Sequence, residues 1–151
     1  VAGGYLSALQ AGLQTAHVVG ELSCIDSTDE FGRSSNWKFE QWASKDKVII
    51  ICNAFNSAGV KEAFERFSTF AKQFSLPCAI FHEDEQSLNG AATACGVIVP
   101  ECFWNVSLHS NTGSYDVYTK IDGVNTPGEI YFPNTDEHNF VELLKSYSLF
   151  R

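Results

Sequence analysis

The run Lys47-Val48-Ile49-Ile50-Ile51-Cys52 constrains the fold more than any other stretch of the chain. Its β-branched residues are stiff at χ1 and favour extended backbone. It shows no polar alternation, and a strand covered on both faces looks like this. The turn that follows, Asn53 to Ser57, places Ser57 to cap a helix. Val60, Phe64, Phe67, Ala71 and Phe74 then recur at spacings of four and three, one apolar face of a helix, with Glu62 and Arg66 paired on the open side. Pro77 ends that helix, and Cys78-Ala79-Ile80-Phe81 resumes as a strand. Strand, helix and strand in this order point to an α/β domain.

The flanking segments fit one layered domain over residues 1–151. Gly4 to Leu22 reads as a helix whose face is Tyr5, Leu9, Leu13 and Ala16, with Gln10, Gln14 and His17 on a polar flank. Asp26-Ser27-Thr28-Asp29 and Gly32 mark a loop, and Trp37, Phe39 and Trp42 a short packed element after it. His82 to Ser87 is polar and leads to an Asn89-Gly90 turn. Cys95 to Val99 is a further strand, stopped by Pro100. Tyr115 to Ile121 alternates as a hairpin strand around Asp122-Gly123, with Glu129 to Phe132 as its partner. A last helix opens at Pro133 to Glu137 and carries Phe140, Leu143, Leu144 and Tyr147.

Composition narrows the chemistry. With 18 acids against 10 bases the net charge is −8, and Lys45 and Lys47 bracket Asp46 without forming a basic cluster. Nucleic-acid binding through phosphates needs clustered Lys and Arg, so that partner class is disfavoured. No apolar run reaches the ~18 residues of a membrane span, and the N-terminal stretch has no signal-peptide pattern. The cysteines, Cys24, Cys52, Cys78, Cys95 and Cys102, are odd in number and form no C-x-x-C pair. That pattern suits buried reduced thiols and a cytoplasmic setting. No glycine-rich phosphate motif occurs, so no nucleotide cofactor is expected. His82-Glu83-Asp84-Glu85 contains ligand types, but neighbours in an extended segment point to opposite faces, so no metal is expected either.

The pieces Val48–Cys52, Val60–Phe74, Leu76-Pro77, His82–Leu88 and Cys95–Pro100 follow one another in a recognisable layout. The opening helix adds Gln14-Thr15-Ala16-His17, which looks like an Ala-Gln-x-x-His signature. On these residues the chain resembles the type 2 peptidyl-tRNA hydrolase fold family over residues 7–100, including its uncharacterised phage-encoded look-alikes. The resemblance implies a small mixed β-sheet flanked by helices, with residues 101–151 as an appended hairpin and helix. It also implies a first strand ahead of the opening helix. None is read there, so either upstream residues are missing or the hairpin at Tyr115–Ile121 fills the gap; the hairpin is the expectation taken.

The same resemblance supplies the candidate catalytic residues Gln14, His17, Glu83 and Ser87. The family's key lysine falls on Gln10, and an amide cannot offer a positive charge to a phosphate or oxyanion. The family's Arg-Asp and Thr-Gln pairs fall on His82-Glu83 and Ser87-Leu88. Ser87 lies in no nucleophile elbow, and His17 as a base would need an orienting acid. The expectation is a catalytically degenerate domain that binds a protein partner. Two alternatives are a hydrolase in which His17, Glu83 and Ser87 converge, and an acidic mimic of nucleic acid.

Overall fold

The computed structural model describes residues 1–3, 6–25, 36–100, 103, 106–108, 114–121, 124–131 and 135–149. For Asn36, Asp46 and the residues from 106 to 135 it describes backbone alone. Tyr5, the loop at Asp26–Gly32, Cys102, His109 and the Asp122-Gly123 turn lie outside the described residues. The chain divides into two compact units, Val1–Ile98 with Tyr147–Arg151, and Val99–Ser146.

In the first unit, helix α1 spans Ala8–Ser23. Ser7 caps it: its Oγ accepts from the Gln10 N–H at 3.3 Å, and Gln10 Oε1 accepts from the Ser7 N–H at 3.0 Å. The helix buries Ala11, Gln14, Val18 and Leu22. The face expected to be buried is turned outward instead, with Leu9 85% and Leu13 56% exposed. Close approach is the reason. α1 lies on strands β1 (Cys78–His82) and β2 (Ala92–Val97), whose facing residues include Ala79, Ala94 and Gly96. A Cβ on Gly96 would stand 2.9 Å from Val18 Cγ1. Ala11 suits such a gap better than leucine does.

β1 and β2 pair antiparallel, with Ile80 opposite Cys95 and Ala79 opposite Gly96. Val1–Gly3 lies along the other side of β2. The Cys95 N–H donates to Val1 O at 3.0 Å and the Gly3 N–H to Thr93 O at 3.0 Å. The far side of the same three residues holds the segment after Ile51: Ala2 N–H donates to Cys52 O and Ala54 N–H to Ala2 O, both at 2.8 Å. Ala2 runs antiparallel to Ala94 and parallel to Asn53, and Leu149 bridges Cys52 on the outside. The place left open ahead of the opening helix is thus taken by Val1–Gly3. The C-terminal hairpin does not fill it: among the described residues its strands pair only with one another and with β3 (Val106–Leu108).

The run Val48–Ile51 is not the doubly covered strand the sequence suggests. It enters no ladder, and Val48 and Ile49 are 65% and 51% exposed. Pairing begins only at Cys52 and Asn53, where Ala2 and Leu149 flank the chain. Ile51 alone of the four packs against the core beneath α1. Ahead of this run, α2 (Asn36–Gln41) passes into a wider turn of helix over Trp42–Asp46. Phe39 packs on the core, its ring 5.6 Å from that of Trp42, and Trp42 Nε1–H donates to Val48 O at 3.0 Å.

Helix α3 (Ser57–Gln73) covers the opposite face of β2: Cys95, which alternates with Gly96, donates its Sγ–H to Val60 O at 3.5 Å. Its cap is Asn56, not Ser57; Asn56 Oδ1 accepts from the Gly59 N–H at 2.9 Å. Val60, Ala63, Phe67 and Ala71 are buried, with Phe64 and Phe74 at the margin. Arg66 hydrogen-bonds Tyr147 and forms no ion pair with Glu62. Lys38 Nζ donates to Phe74 O at 3.1 Å, meeting a carbonyl at the negative end of the helix dipole. After β1, Asp84 caps a single turn, α4 (Glu85–Leu88).

The second unit is a three-stranded antiparallel sheet and a helix. β3 (Val106–Leu108) pairs with β4 (Ser114–Ile121), which pairs in a hairpin with β5 (Val124–Tyr131), a partner strand that starts at Val124 and not at Glu129 as expected. Pro127 stands opposite Tyr118 in β5, an edge strand of the described sheet. Helix α5 (Thr135–Ser146) buries Phe140, Val141, Leu143 and Leu144 and ends before Tyr147.

Two glycines test this packing. A Cβ on Gly59 would lie 2.1 Å from Ala54 O, a backbone atom that cannot move aside without breaking the turn. Gly59→Ala is expected to lower stability by about 1–3 kcal/mol in urea unfolding, the usual cost of overpacking. Gly96→Ala should destabilise by a similar amount, and Val18→Ala in the same chain should recover part of the loss, since it removes the methyl that clashes.

Candidate functional site

The expected site residues sit where β1 leaves the sheet beneath α1. Ala79 and Phe81 face α1, and Glu83, two residues on, continues that alternation. On β2 the alternation is broken on purpose. Phe81 stands opposite Ala94 but His82 stands opposite Ala92, so Thr93 is an extra residue, a β-bulge. The bulge aims the Thr93 hydroxyl at α1 although its neighbour Ala94 faces the same way.

There it meets Gln14. Thr93 Oγ1–H donates to Gln14 Oε1 at 2.9 Å, and Gln14 Nε2–H donates to Glu83 Oε1 at 2.6 Å. Gln14 is 7% exposed, Thr93 is fully buried and Glu83 half-buried. The carboxylate fixes the amide's orientation: it accepts only, so the nitrogen must face Glu83 and the oxygen must face Thr93. The contact to the carboxylate is charge-assisted and so the stronger of the two. Among the described residues no Lys or Arg bonds to any of the three.

His17 follows one helical turn after Gln14. Its ring lies parallel to that of Phe81, with centroids 4.4 Å apart and planes 10° apart, and it is exposed. Ser87 is also exposed, on α4, where its backbone N–H donates to Asp84 Oδ1 at 2.6 Å. That bond holds the Asp84 carboxyl below the usual carboxylate range. The structure therefore brings Gln14 and Glu83 together, stands His17 on the adjoining wall, and joins neither His17 nor Ser87 to Glu83 by a hydrogen bond among the described residues. Gln10, at the position of the expected lysine, is occupied in capping α1.

Sequence reasoning missed Thr93. Its one legible signal is a lone hydroxyl within Ala91-Ala92-Thr93-Ala94-Cys95, and the bulge that aims it depends on pairing with β1. Among the described residues no group of His, Cys, Asp and Glu could hold a metal ion, and no helix is long and apolar enough to cross a membrane. Cys24, Cys52, Cys78 and Cys95 are free thiols, Cys24 exposed, Cys78 half-buried and the other two buried. Burial pushes Cys78 up to about 12 and Cys95 up to about 11, and raises Cys52 as well. No family model, curated protein or solved structure matches the chain.

Gln14→Ala leaves the Thr93 hydroxyl and one Glu83 oxygen unpartnered and should cost about 1–3 kcal/mol of unfolding free energy. Gln14→Glu sets two carboxylates against each other, so the stability of this variant should rise as pH falls and the pair takes up a proton. The thiols give a second pH signature. An unfolded thiol ionises near 9.0, whereas Cys78 and Cys95 hold their protons to about 12 and 11. The unfolded chain then binds fewer protons, so unfolding free energy should fall as pH rises above about 9 and stop falling above the folded values. Urea midpoints between pH 8 and 10.5, compared with a Cys78→Ala variant, read this directly.

Proposed function

We propose that the first unit is a peptidyl-tRNA hydrolase-like scaffold that has lost the hydrolytic reaction and acts by binding a protein partner. One observation carries this reading. At the candidate centre a neutral amide, Gln14, spends its donor on Glu83 and its acceptor on Thr93, and no cation of the described residues joins them. Acyl transfer needs a group to stabilise the developing oxyanion, and phosphate-bearing substrates need positive charge. Gln10 supplies neither, since its side chain caps α1. Ser87, the available hydroxyl, has no hydrogen-bonded base among the described residues. The small mixed sheet between α1 and α3 supports the scaffold half of the reading. The outward Leu9 and Leu13 support the binding half, because they put apolar area on a helix whose ionisable residues are only His17 and Glu21.

A peptidyl-tRNA cleavage assay tests the first half: the expected result is release no faster than in buffer. Turnover that is lost in Gln14→Ala and His17→Ala would instead establish a working hydrolase with a remodelled site. For the second half, Leu9→Asp with Leu13→Asp should abolish capture of a partner that the parent chain retains, at an unchanged melting temperature.

A further inference from the structure

Charge is segregated along this chain. All 10 Lys and Arg fall in residues 33–72 and 120–151, and none in 1–32 or 73–119. The elements around Gln14, which are α1, β1, α4 and β2, therefore carry no cation of their own, while Glu21, Glu83, Asp84 and Glu85 lie on or between them. Of these acids Glu83 is half-buried and the other three are exposed. A carboxylate offers about four acceptor sites. Glu83 spends one on Gln14 Nε2–H, and no other side chain of the described residues bonds to it. Gln14 is held in turn by Thr93, so the carboxylate is restrained as well as under-compensated. An aromatic wall stands beside it. His17 is one turn along α1 from Gln14, Phe81 precedes Glu83 by two residues on the same face, and the two rings stack at 4.4 Å. Leu9, Leu13 and His17 recur every fourth residue, so that wall continues along α1 as an exposed apolar row.

We propose that this face docks a protein segment that places an arginine on Glu83 and apolar residues on Leu9 and Leu13. The inference rests on the binding reading above and names the chemistry of the partner. Charge complementarity selects a cation, because a half-buried carboxylate with no basic neighbour gains most from one. The wall selects arginine over lysine. A guanidinium is planar, donates two parallel N–H bonds to one carboxylate and stacks on aromatic rings, and it sheds water more readily than an ammonium does. The apolar row selects a protein over a free polyamine, which has no side chains to lay on Leu9 and Leu13. A peptide segment satisfies the anion and covers the row together.

The test is an NMR titration of the full chain in about 0.15 M salt, which screens unspecific attraction to the net charge of −8. The probe is acetyl-Leu-Arg-Leu-amide, with citrulline or lysine replacing arginine in the control peptides. The expected result is saturable shifts at the Gln14 side-chain amide and at the Leu9 and Leu13 methyls. The citrulline peptide, neutral and of the same shape, should bind about tenfold more weakly or worse, since it loses the charge-assisted pair. The same loss is expected for the arginine peptide on Glu83→Gln, which keeps an acceptor for Gln14. The citrulline comparison uses the parent chain, so it stands whatever the variant does to folding. Equal affinity for citrulline and arginine would overturn the proposal. Parity of the lysine peptide would overturn the choice of arginine, and spermidine binding as tightly would make the occupant a free polyamine. Turnover of peptidyl-tRNA would overturn the binding reading alone and leave the peptide comparison standing, so the two fail separately.

Discussion

The backbone of three residues, Val1 to Gly3, holds the first unit together. Each neighbouring segment is tied to it by main-chain hydrogen bonds: β2 through Thr93 and Cys95, and the segment leading to α3 through Cys52 and Ala54. Ala2 is wholly buried beneath α1, and no larger side chain would fit the same spacing to Ala11 and Ala94 without displacing the helix. A short central element of this kind sets the registers on both sides at once. The bulge at Thr93, the turn at Phe55 and the start of α3 inherit their positions from it. Phe55 illustrates the strain this imposes. It holds a φ of 63°, with its N–H on Asn53 Oδ1 and the next N–H on Ala54 O. A bulky residue in that region is tolerated only where the surroundings over-determine it.

The polar network under α1 follows from the same close packing. Gln14 can lie in an apolar layer because Thr93 and Glu83 meet it from two strands, so no hydrogen-bonding atom of the buried amide oxygen or of the hydroxyl is abandoned. In such a place an amide and an ammonium are not interchangeable. An ammonium beside Glu83 would make an ion pair, whereas the amide only donates a hydrogen bond to the carboxylate and brings no positive charge. The contrast between a cation and a neutral amide at this place is the chemical basis for reading the unit as a binder.

How much of this was legible in the sequence depended on how local its cause is. The helix at Val60–Phe74 was readable because its apolar period is strong and Pro77 stops it, and the hairpin around Asp122-Gly123 because alternation and turn chemistry lie side by side. The buried face of α1 was misjudged, since Leu9 and Leu13 outweigh Ala11 and Val18 in any hydrophobic count, while the deciding fact was the bare surface of Gly96 some eighty residues later. Val48–Ile51 has the composition of a strand but enters no ladder, because pairing and cover are conferred by neighbours and not by composition. Of the site, Gln14 and Glu83 stood among the candidate residues, and a hydrogen bond joins them. Thr93 was invisible because a bulge is a property of two paired strands, and the isolation of Ser87 because its turn is capped by Asp84.

Pro127 has a consequence for how the protein behaves in a crowd. It lies within the outermost described strand of the second sheet, where a ring nitrogen replaces a donor. A proline fits such a ladder only with that nitrogen turned away from its partner. Any chain trying to add itself to this edge of the described sheet meets a missing donor midway along. The second unit thus carries its own guard against edge-to-edge stacking, written as one imino acid.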